Sequence, residues 1–302
     1  MDVRAIAMGL AFALMWSSAF TSARIIVADA SPLFSLALRF LISGLLGVII
    51  AVIMGQTWRL TRNQWRATII FGVCQNALYL GLNFVAMQTV EASLAAIIAA
   101  TMPLLVALAS WLFFKEHLKP LGIIGLIAGV LGVALIMGTR INAGVDLFGV
   151  LLCVLGVIAL AVATLALRGA TSGGNFMMVV GLQMLVGSVL LFATAGLIED
   201  IYINPTLPLA LAFAYTTLVP GLIATFIWVL LLNRIGPLRA ATFHFLNPVF
   251  GVAIAALLLG ERLGPLDLIG VLIVTAGILA VQISRQPAPS SISESAKANP
   301  VK

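Results

Sequence analysis

Polar and aromatic side chains that could bind a small molecule stand inside long apolar runs of the sequence. Polar groups in an apolar surrounding are costly, so they usually face a cavity or a partner helix. Tyr79 and Asn83 are four residues apart, which places them on one face of a helix. We predict a binding site, with no catalytic residue in it, made of Trp16, Ser17, Tyr79, Asn83, Trp228, His244 and Asn247.

Two prolines interrupt apolar runs of helical length. Pro103 and Pro248 each lack a backbone N–H, so each leaves one helix carbonyl without its usual donor. In an apolar surrounding such a carbonyl must be satisfied by a neighbour or line a cavity. Both prolines are therefore predicted to kink their helices, and a packing role and a gating role both stay open.

The residues needed for hydrolysis or for metal binding are not found at useful spacings. The sequence has no paired aspartates and no HExxH motif. Ser17 or Ser18 with His244 is the only conceivable nucleophile–base pair, and nothing in the spacing supports it. Cys74 and Cys153 both lie in apolar runs and are predicted to be packing residues. We expect no enzyme, no bound metal and no cofactor.

The composition requires a lipid environment. Of 302 residues, 62% are hydrophobic and 9% are charged, whereas soluble domains have about 45–50% and about 25%. The net charge of +6 could indicate a nucleic-acid partner, but positive residues of membrane proteins collect in cytoplasmic loops. The expected partners are the lipid bilayer and a small-molecule substrate, and no nucleic acid. The oligomeric state stays open, with a monomer as the working expectation.

Ten apolar runs approach the length of about 20 residues that a helix needs to cross a bilayer. They cover 5–27, 34–54, 67–88, 92–114, 120–138, 147–168, 176–197, 208–232, 238–259 and 264–283. Arg39 falls within the second run, where we expect it to bond to a helix end or a loop carbonyl. The sequence therefore predicts an all-α membrane protein of ten transmembrane helices.

Charges between the runs indicate one orientation, with both termini in the cytoplasm. The outer loops then hold only Arg24, Arg140 and Arg262, while acidic residues such as Asp267 also map outside. Apart from Arg39 within the second run, the cytoplasmic segments hold the remaining basic residues, Arg4, Arg59, Arg62, Arg66, Lys115, Lys119, Arg168, Arg234, Arg239, Arg285, Lys297 and Lys302.

An internal repeat divides the chain into halves. At an offset of 145 residues Pro103 falls on Pro248 and Glu116 falls on Glu261, and earlier in the halves an offset of 144 pairs Arg39 with Gln183. Five spans per half is an odd number, so the halves have opposite topology, an architecture typical of alternating-access transporters. The predicted units are the repeats 1–140 and 141–284 and a disordered cytoplasmic tail, 285–302.

Four stretches of this sequence resemble the drug/metabolite transporter superfamily, and within it the ten-span bacterial exporters of the EamA type, which include aromatic-amino-acid exporters. They are TMPLLVALASWLFFKEHLKPLG, its second copy LNPVFGVAIAALLLGERLGPLD, MWSSAF and LALRF. The resemblance covers about 5–283 and implies a multi-pass protein of the inner membrane that exports amino acids or related metabolites. The four-span members of the superfamily carry a glutamate in their first span, whereas residues 13–18 here contain none.

The leading hypothesis is therefore an amino-acid exporter with a central cavity that opens alternately to the two sides. No Asp or Glu lies in the middle of a span, so coupling through a carboxylate is not expected; facilitated transport and coupling through His244 or the substrate stay open. A lipophilic-drug exporter would have a similar apolar cavity. A nucleotide-sugar carrier is disfavoured because phosphate favours Lys or Arg in the cavity. A channel or an intramembrane enzyme is the alternative from another class.

Overall fold

The computed structural model describes residues 2–166 and 174–285, in which helices joined by short loops are accompanied by one isolated bridge between Ala30 and Ile203. Ten of the described helices are long and apolar enough to cross a membrane. In chain order they are α1 (Val3–Asp29), α2 (Pro32–Ile53), α3 (Arg62–Ala86), α4 (Ala92–Phe114), α5 (Pro120–Asn142), α6 (Leu147–Ala166), α7 (Phe176–Ile198), α8 (Leu207–Ile235), α9 (Arg239–Leu259) and α10 (Pro265–Ser284).

The ten predicted spans are confirmed, and the largest difference is at the start of α3. This helix begins at Arg62 rather than at residue 67, because Thr61 and Gln64 form a capping box. The Thr61 hydroxyl accepts a hydrogen bond from the Gln64 amide at 3.3 Å, and the Gln64 side chain accepts one from the Thr61 amide at 2.9 Å. Arg168 and the predicted tail from residue 286 onward lie outside the described residues.

Glycines allow close packing between α5 and α10. A Cβ added to Gly125 would lie 2.7 Å from the Gly277 carbonyl oxygen, and one added to Gly270 would lie 3.0 Å from that of Gly132. Small residues let membrane helices approach this closely. At the repeat offset of 145 residues Gly125 corresponds to Gly270 and Gly132 corresponds to Gly277, so the two contacts are equivalent in the two halves. The inverted repeat stays a prediction, and this reciprocity supports it.

A second glycine seam joins α2 to α7. Gly44 and Gly47 of α2 pack on Gly181, where a Cβ on Gly47 would lie 3.1 Å from the Gly181 Cα. Further along, the Ser188 hydroxyl donates to the Ala37 carbonyl at 2.8 Å. Because α2 and α5 come from the first predicted repeat and α7 and α10 from the second, the two seams join the halves.

Helical geometry changes at corresponding places in the two halves. A π-helical segment runs through Gly72–Leu80 in α3 and another through Val219–Ile223 in α8. The regular α-helix of α4 is interrupted at Thr101, just before Pro103, and a 3₁₀ turn at Phe243–Leu246 precedes Pro248 in α9. Segments of π-helix are frequently found at functional sites. Both prolines thus coincide with helix breaks, and their gating role stays a prediction.

Polar contacts tie the helices together at the predicted outer end, where α4 and α10 begin and α5 ends. The Glu261 carboxylate accepts hydrogen bonds from the amides of Ala92 and Ser93, at 2.7 and 3.0 Å. Asp267, which the sequence maps to the outer side, lies in the first turn of α10. There it is 4% exposed, and it pairs with Arg140 and accepts a 2.7 Å hydrogen bond from Thr139.

Candidate functional site

Four rings from three helices meet inside the helix bundle and form what we call the aromatic cluster: Phe12, Trp16, Trp228 and His244. Phe12 of α1 stacks on Trp228 of α8 with 4.5 Å between ring centroids, and Trp16 lies 5.6 Å from Phe12. His244 of α9 meets Phe12 and Trp228 edge-on, at 5.4 and 5.1 Å. Trp16 is close to the midpoint of α1, so the cluster lies deep in the membrane.

Asn247 adds polar groups beside the cluster. Its amide nitrogen lies 3.0 Å from His244 Nδ1; with the amide assigned in this orientation, Nδ1 accepts the hydrogen bond and the imidazole proton is on Nε2. The backbone carbonyl of Asn247 accepts a 3.2 Å hydrogen bond from the Ser17 hydroxyl. Its side-chain oxygen is buried and has no hydrogen-bond partner among the described residues. The site therefore offers a free acceptor next to a ring N–H donor.

The break in α9 explains why these two side chains are so close. His244 lies in the 3₁₀ turn Phe243–Leu246, and Asn247 begins the α-helical segment that contains Pro248. A 3₁₀ turn brings residues three apart into line, which places Asn247 over His244. The proline thus fixes a local geometry that connects two predicted ligand residues.

Ser18 and Tyr215 join α1 to α8 beyond the cluster. Their hydroxyl oxygens are 2.7 Å apart, so one donates to the other. The neighbouring Ser17 hydroxyl bonds to α9, as described above. Both serines therefore connect helices, which is the role that hydroxyls most often have in membrane proteins. A substrate contact of Ser17 stays a prediction.

Tyr79 and Asn83 lie in a different place, between α3 and α6. Both are buried, and the Asn83 amide nitrogen donates to the Tyr79 carbonyl at 2.7 Å. That nitrogen would be 2.7 Å from a Cβ on Gly156, so the amide packs directly on α6. In residues 2–166 and 174–285 no hydrogen bond or ring contact joins this pair to the aromatic cluster. Their shared function with the cluster stays a prediction.

Two residues near the bundle interior were not assigned to the site from the sequence. Phe12 is one of 16 phenylalanines in an apolar chain, and only its spacing of four residues from Trp16 could have indicated it. Arg39 was expected to bond to a helix end or a loop carbonyl. This expectation is wrong: Arg39 is 5% exposed and makes no hydrogen bond with any described residue.

Metal ligands are not grouped anywhere in the part of the chain that the structure describes. No three His, Cys, Asp or Glu side chains there come close enough to hold an ion. Cys153 is buried, Cys74 is partly buried, and both are free thiols.

Comparison with known proteins identifies the family. The model of the EamA-like transporter family matches residues 3–138 and again residues 147–283. The chain therefore belongs to the EamA-like transporter family, and it is a membrane transporter.

Three relatives illustrate how far the similarity extends. The uncharacterized transporter YvbV of Bacillus subtilis is 26% identical over 269 residues, which cover 89% of this chain and 88% of the relative. The uncharacterized inner membrane transporter YedA of Escherichia coli K12 is 26% identical over 93% of this chain and 92% of its own. Protein PecM of Dickeya dadantii is 22% identical over 87% of this chain and 86% of the relative.

A solved structure shares the fold. It superimposes with a TM-score of 0.69 over 94% of this chain and 98% of the other, at 21% sequence identity. Together, the ten spanning helices and the inner membrane relatives make this a multi-pass protein of the plasma membrane.

Proposed function

We propose that the protein exports amino acids, neutral and aromatic ones included, or closely related small metabolites. The observation that carries the proposal is the aromatic cluster with Asn247 beside it at the break in α9. Aromatic faces attract both apolar side chains and ammonium groups. The free oxygen of Asn247 can accept from an ammonium group, and Nε2–H of His244 can donate to a carboxylate. These groups suit a zwitterion with an apolar side chain.

The two glycine seams suggest how such a site would open alternately to the two sides. The close contacts of α2 with α7 and of α5 with α10 both join the predicted halves, while the cluster is built on α1, α8 and α9. Packed seams of small residues allow two bodies to rock without opening a gap between them. We propose that the halves rock about these seams and expose the cluster first to the cytoplasm.

A lipophilic drug is the second candidate substrate, and one surface feature favours it. An apolar groove of about 470 Å³ lies between α4 and α6. Its lining is entirely Leu, Ile, Val, Ala and Phe, from Leu105 to Phe114 on one side and from Ile158 to Ala166 on the other. A lipophilic solute could occupy such a groove from the bilayer, whereas a zwitterion could not.

Uptake into proteoliposomes tests the proposal. The purified chain is reconstituted, and a panel of labelled amino acids is offered with and without a pH gradient. Saturable uptake that unlabelled substrate competes is expected for apolar and aromatic members. A change in the uptake rate when the pH gradient is applied would show proton coupling. Absence of uptake above empty liposomes, with folded protein, would reject the amino-acid proposal and favour the drug candidate.

A further inference from the structure

Arg39 is a buried cation whose recorded contact is with the ring of its neighbour Phe40, 5.2 Å from the guanidinium carbon to the ring centroid. It lies in the first half of α2 and is 5% exposed. Its Nε is fully buried without a hydrogen bond, and the guanidinium makes no ion pair with any described residue. An arginine in a membrane span is costly and is usually paired with an acid or a carbonyl. A guanidinium at this depth that contacts an aromatic ring but no anion requires a physical explanation.

The π-helical segment of α8 passes close to this side chain. A Cβ added to Gly221 would lie 3.7 Å from Nη2 of Arg39, 3.4 Å from the Ser43 hydroxyl and 3.2 Å from the Thr216 carbonyl. Because residue 221 is glycine, the volume between these groups is not filled by a side chain. Pro220 contributes no N–H to the segment, so the local backbone offers fewer competing donors.

The groups around this space fit an oxyanion. Guanidinium presents donors in a planar fork that matches the two oxygens of a carboxylate. The Ser43 hydroxyl donates weakly, at 3.3 Å, to the Thr217 carbonyl and can turn toward a better acceptor. No carboxylate of the described protein occupies the fork. The missing partner is therefore best supplied by a ligand.

The second half of the chain has no equivalent cation. At the repeat offset of 144, Arg39 corresponds to Gln183, whose backbone carbonyl accepts a 2.9 Å hydrogen bond from the Asn76 side chain. The fold therefore accepts a neutral side chain at this place in a span. A positive charge in one half only is unnecessary for packing and points to recognition.

We infer that Arg39, with Ser43 and the backbone at Gly221, forms a carboxylate-binding site on the path of the transported solute. Gly221 and Trp228 are seven residues apart in α8, which is about 10 Å along the helix axis. The site thus lies closer to the predicted outer end than the aromatic cluster does. The ligand is an organic monocarboxylate with an apolar side chain. Its identity as a transported solute rests on the proposed function, whereas the binding of the anion does not.

Thermal stabilisation of the purified full-length protein tests this inference. The probe is 3-phenylpropionate, and its amide is the neutral control of the same shape. We expect the carboxylate to raise the melting temperature of the wild type with a saturable dose response, and the amide to have no effect. Inorganic phosphate is the third ligand. Stabilisation by phosphate without stabilisation by the carboxylate would overturn the inference.

Two variants remove the site in different ways. Arg39→Gln removes the charge, and Gly221→Ala keeps the charge but places a methyl group between Arg39, Ser43 and Thr216. Each is expected to weaken 3-phenylpropionate binding about tenfold or more, since charge-assisted hydrogen bonds are lost. Gly138→Ala is the matched control, because a Cβ there meets nothing within 4 Å. If Arg39→Gln does not fold, Gly221→Ala decides the test. Unchanged binding in a folded variant overturns the inference.

The same variants separate this inference from the proposed function. Wild-type uptake of phenylalanine with an undiminished rate in folded Arg39→Gln would support amino-acid export and reject the carboxylate site. Binding of 3-phenylpropionate that depends on Arg39, without uptake of any amino acid, would support the site and reject amino-acid export.

Discussion

The indole of Trp228 and the imidazole of His244 meet edge to face, with 5.1 Å between their centroids, although they belong to different helices. Phe12 completes the contact from α1, stacked 4.5 Å from the indole. Trp228 therefore has a neighbour on each side, one from the first half of the chain and one from the second. Under the proposed function, a solute that takes the place of one neighbour would change the packing of both halves and so couple binding to their relative position.

Removing the indole should weaken transport without unfolding the protein. Aromatic pairs contribute about 0.5–1.5 kcal/mol beyond buried area. Loss of contacts of this kind corresponds to a change of about tenfold or less in apparent affinity. Trp228→Ala is expected to raise the half-saturating substrate concentration by that factor, and Trp228→Phe by less. Proteoliposome uptake measures both.

Trp111→Ala is the control for this prediction, because Trp111 is also a membrane tryptophan but is 48% exposed on α4. Its flux should equal that of the wild type. Equal affinity in Trp228→Ala and wild type would remove Trp228 from the site.

A methyl group in the seam between α5 and α10 should destabilise the bundle. In Gly132→Ala the Cβ would lie 2.9 Å from the Gly270 carbonyl and from the Val274 amide, so backbone must move. Overpacking of this kind costs about 1–3 kcal/mol. Gly138→Ala in the same helix meets nothing within 4 Å and should be neutral or slightly stabilising. The melting temperature in detergent should therefore fall for Gly132→Ala and not for Gly138→Ala. A similar fall in both variants would contradict the close packing of α5 on α10 at Gly132.

The sequence was sufficient to predict the spans, because long apolar runs have a direct physical meaning in a bilayer. It did not reveal the π-helical segments, since their hydrogen-bond register depends on packing between helices rather than on residue type. The spacing of Tyr79 and Asn83 correctly indicated a shared helix face. Apolar content alone could not indicate which helix that face meets, and the structure places it on α6 rather than beside Trp228.

Charged residues show the same limit. Counting charges mapped Asp267 to the outer side but did not reveal that Thr139 and Arg140 are its partners. The ring of its sequence neighbour Phe40 contacts the Arg39 guanidinium, but no sequence neighbour supplies an anion. Partners from distant parts of the chain decide both cases, and one sequence does not reveal which parts meet.

The ion pair between Asp2 and Arg234 should stabilise the folded protein by an amount that changes with pH only in the acid range. The hydrogen bond from Arg234, and after it the one from the Ala5 amide, lower the pKa of Asp2 from 3.8 to about 2. A lowered carboxyl pKa stabilises the fold above the unfolded value and ceases to do so as the pH falls through the folded value. Asp2→Asn should therefore lower the melting temperature equally at pH 8 and pH 5.

Below about pH 4 the difference between wild type and Asp2→Asn should shrink, because the wild-type carboxyl also becomes neutral. Asp200→Asn, at an exposed position after α7, is the control and should change nothing at either pH. A difference that grows toward acid would contradict the pairing of Asp2 with Arg234.

Glu261, which the internal repeat aligns with Glu116, caps the start of α4, and its removal should loosen the predicted outer end. The carboxylate accepts from two amides at the start of α4, Ala92 and Ser93, where helix N–H groups have no partner within the helix. Such caps contribute about 0.5–2 kcal/mol. Glu261→Ala should therefore lower the melting temperature by a few degrees, and Glu261→Gln by less because one acceptor remains. The exposed neighbour Arg262, changed to Ala, should have no effect. Equal melting temperatures for Glu261→Ala and wild type would show that the cap does not stabilise the bundle.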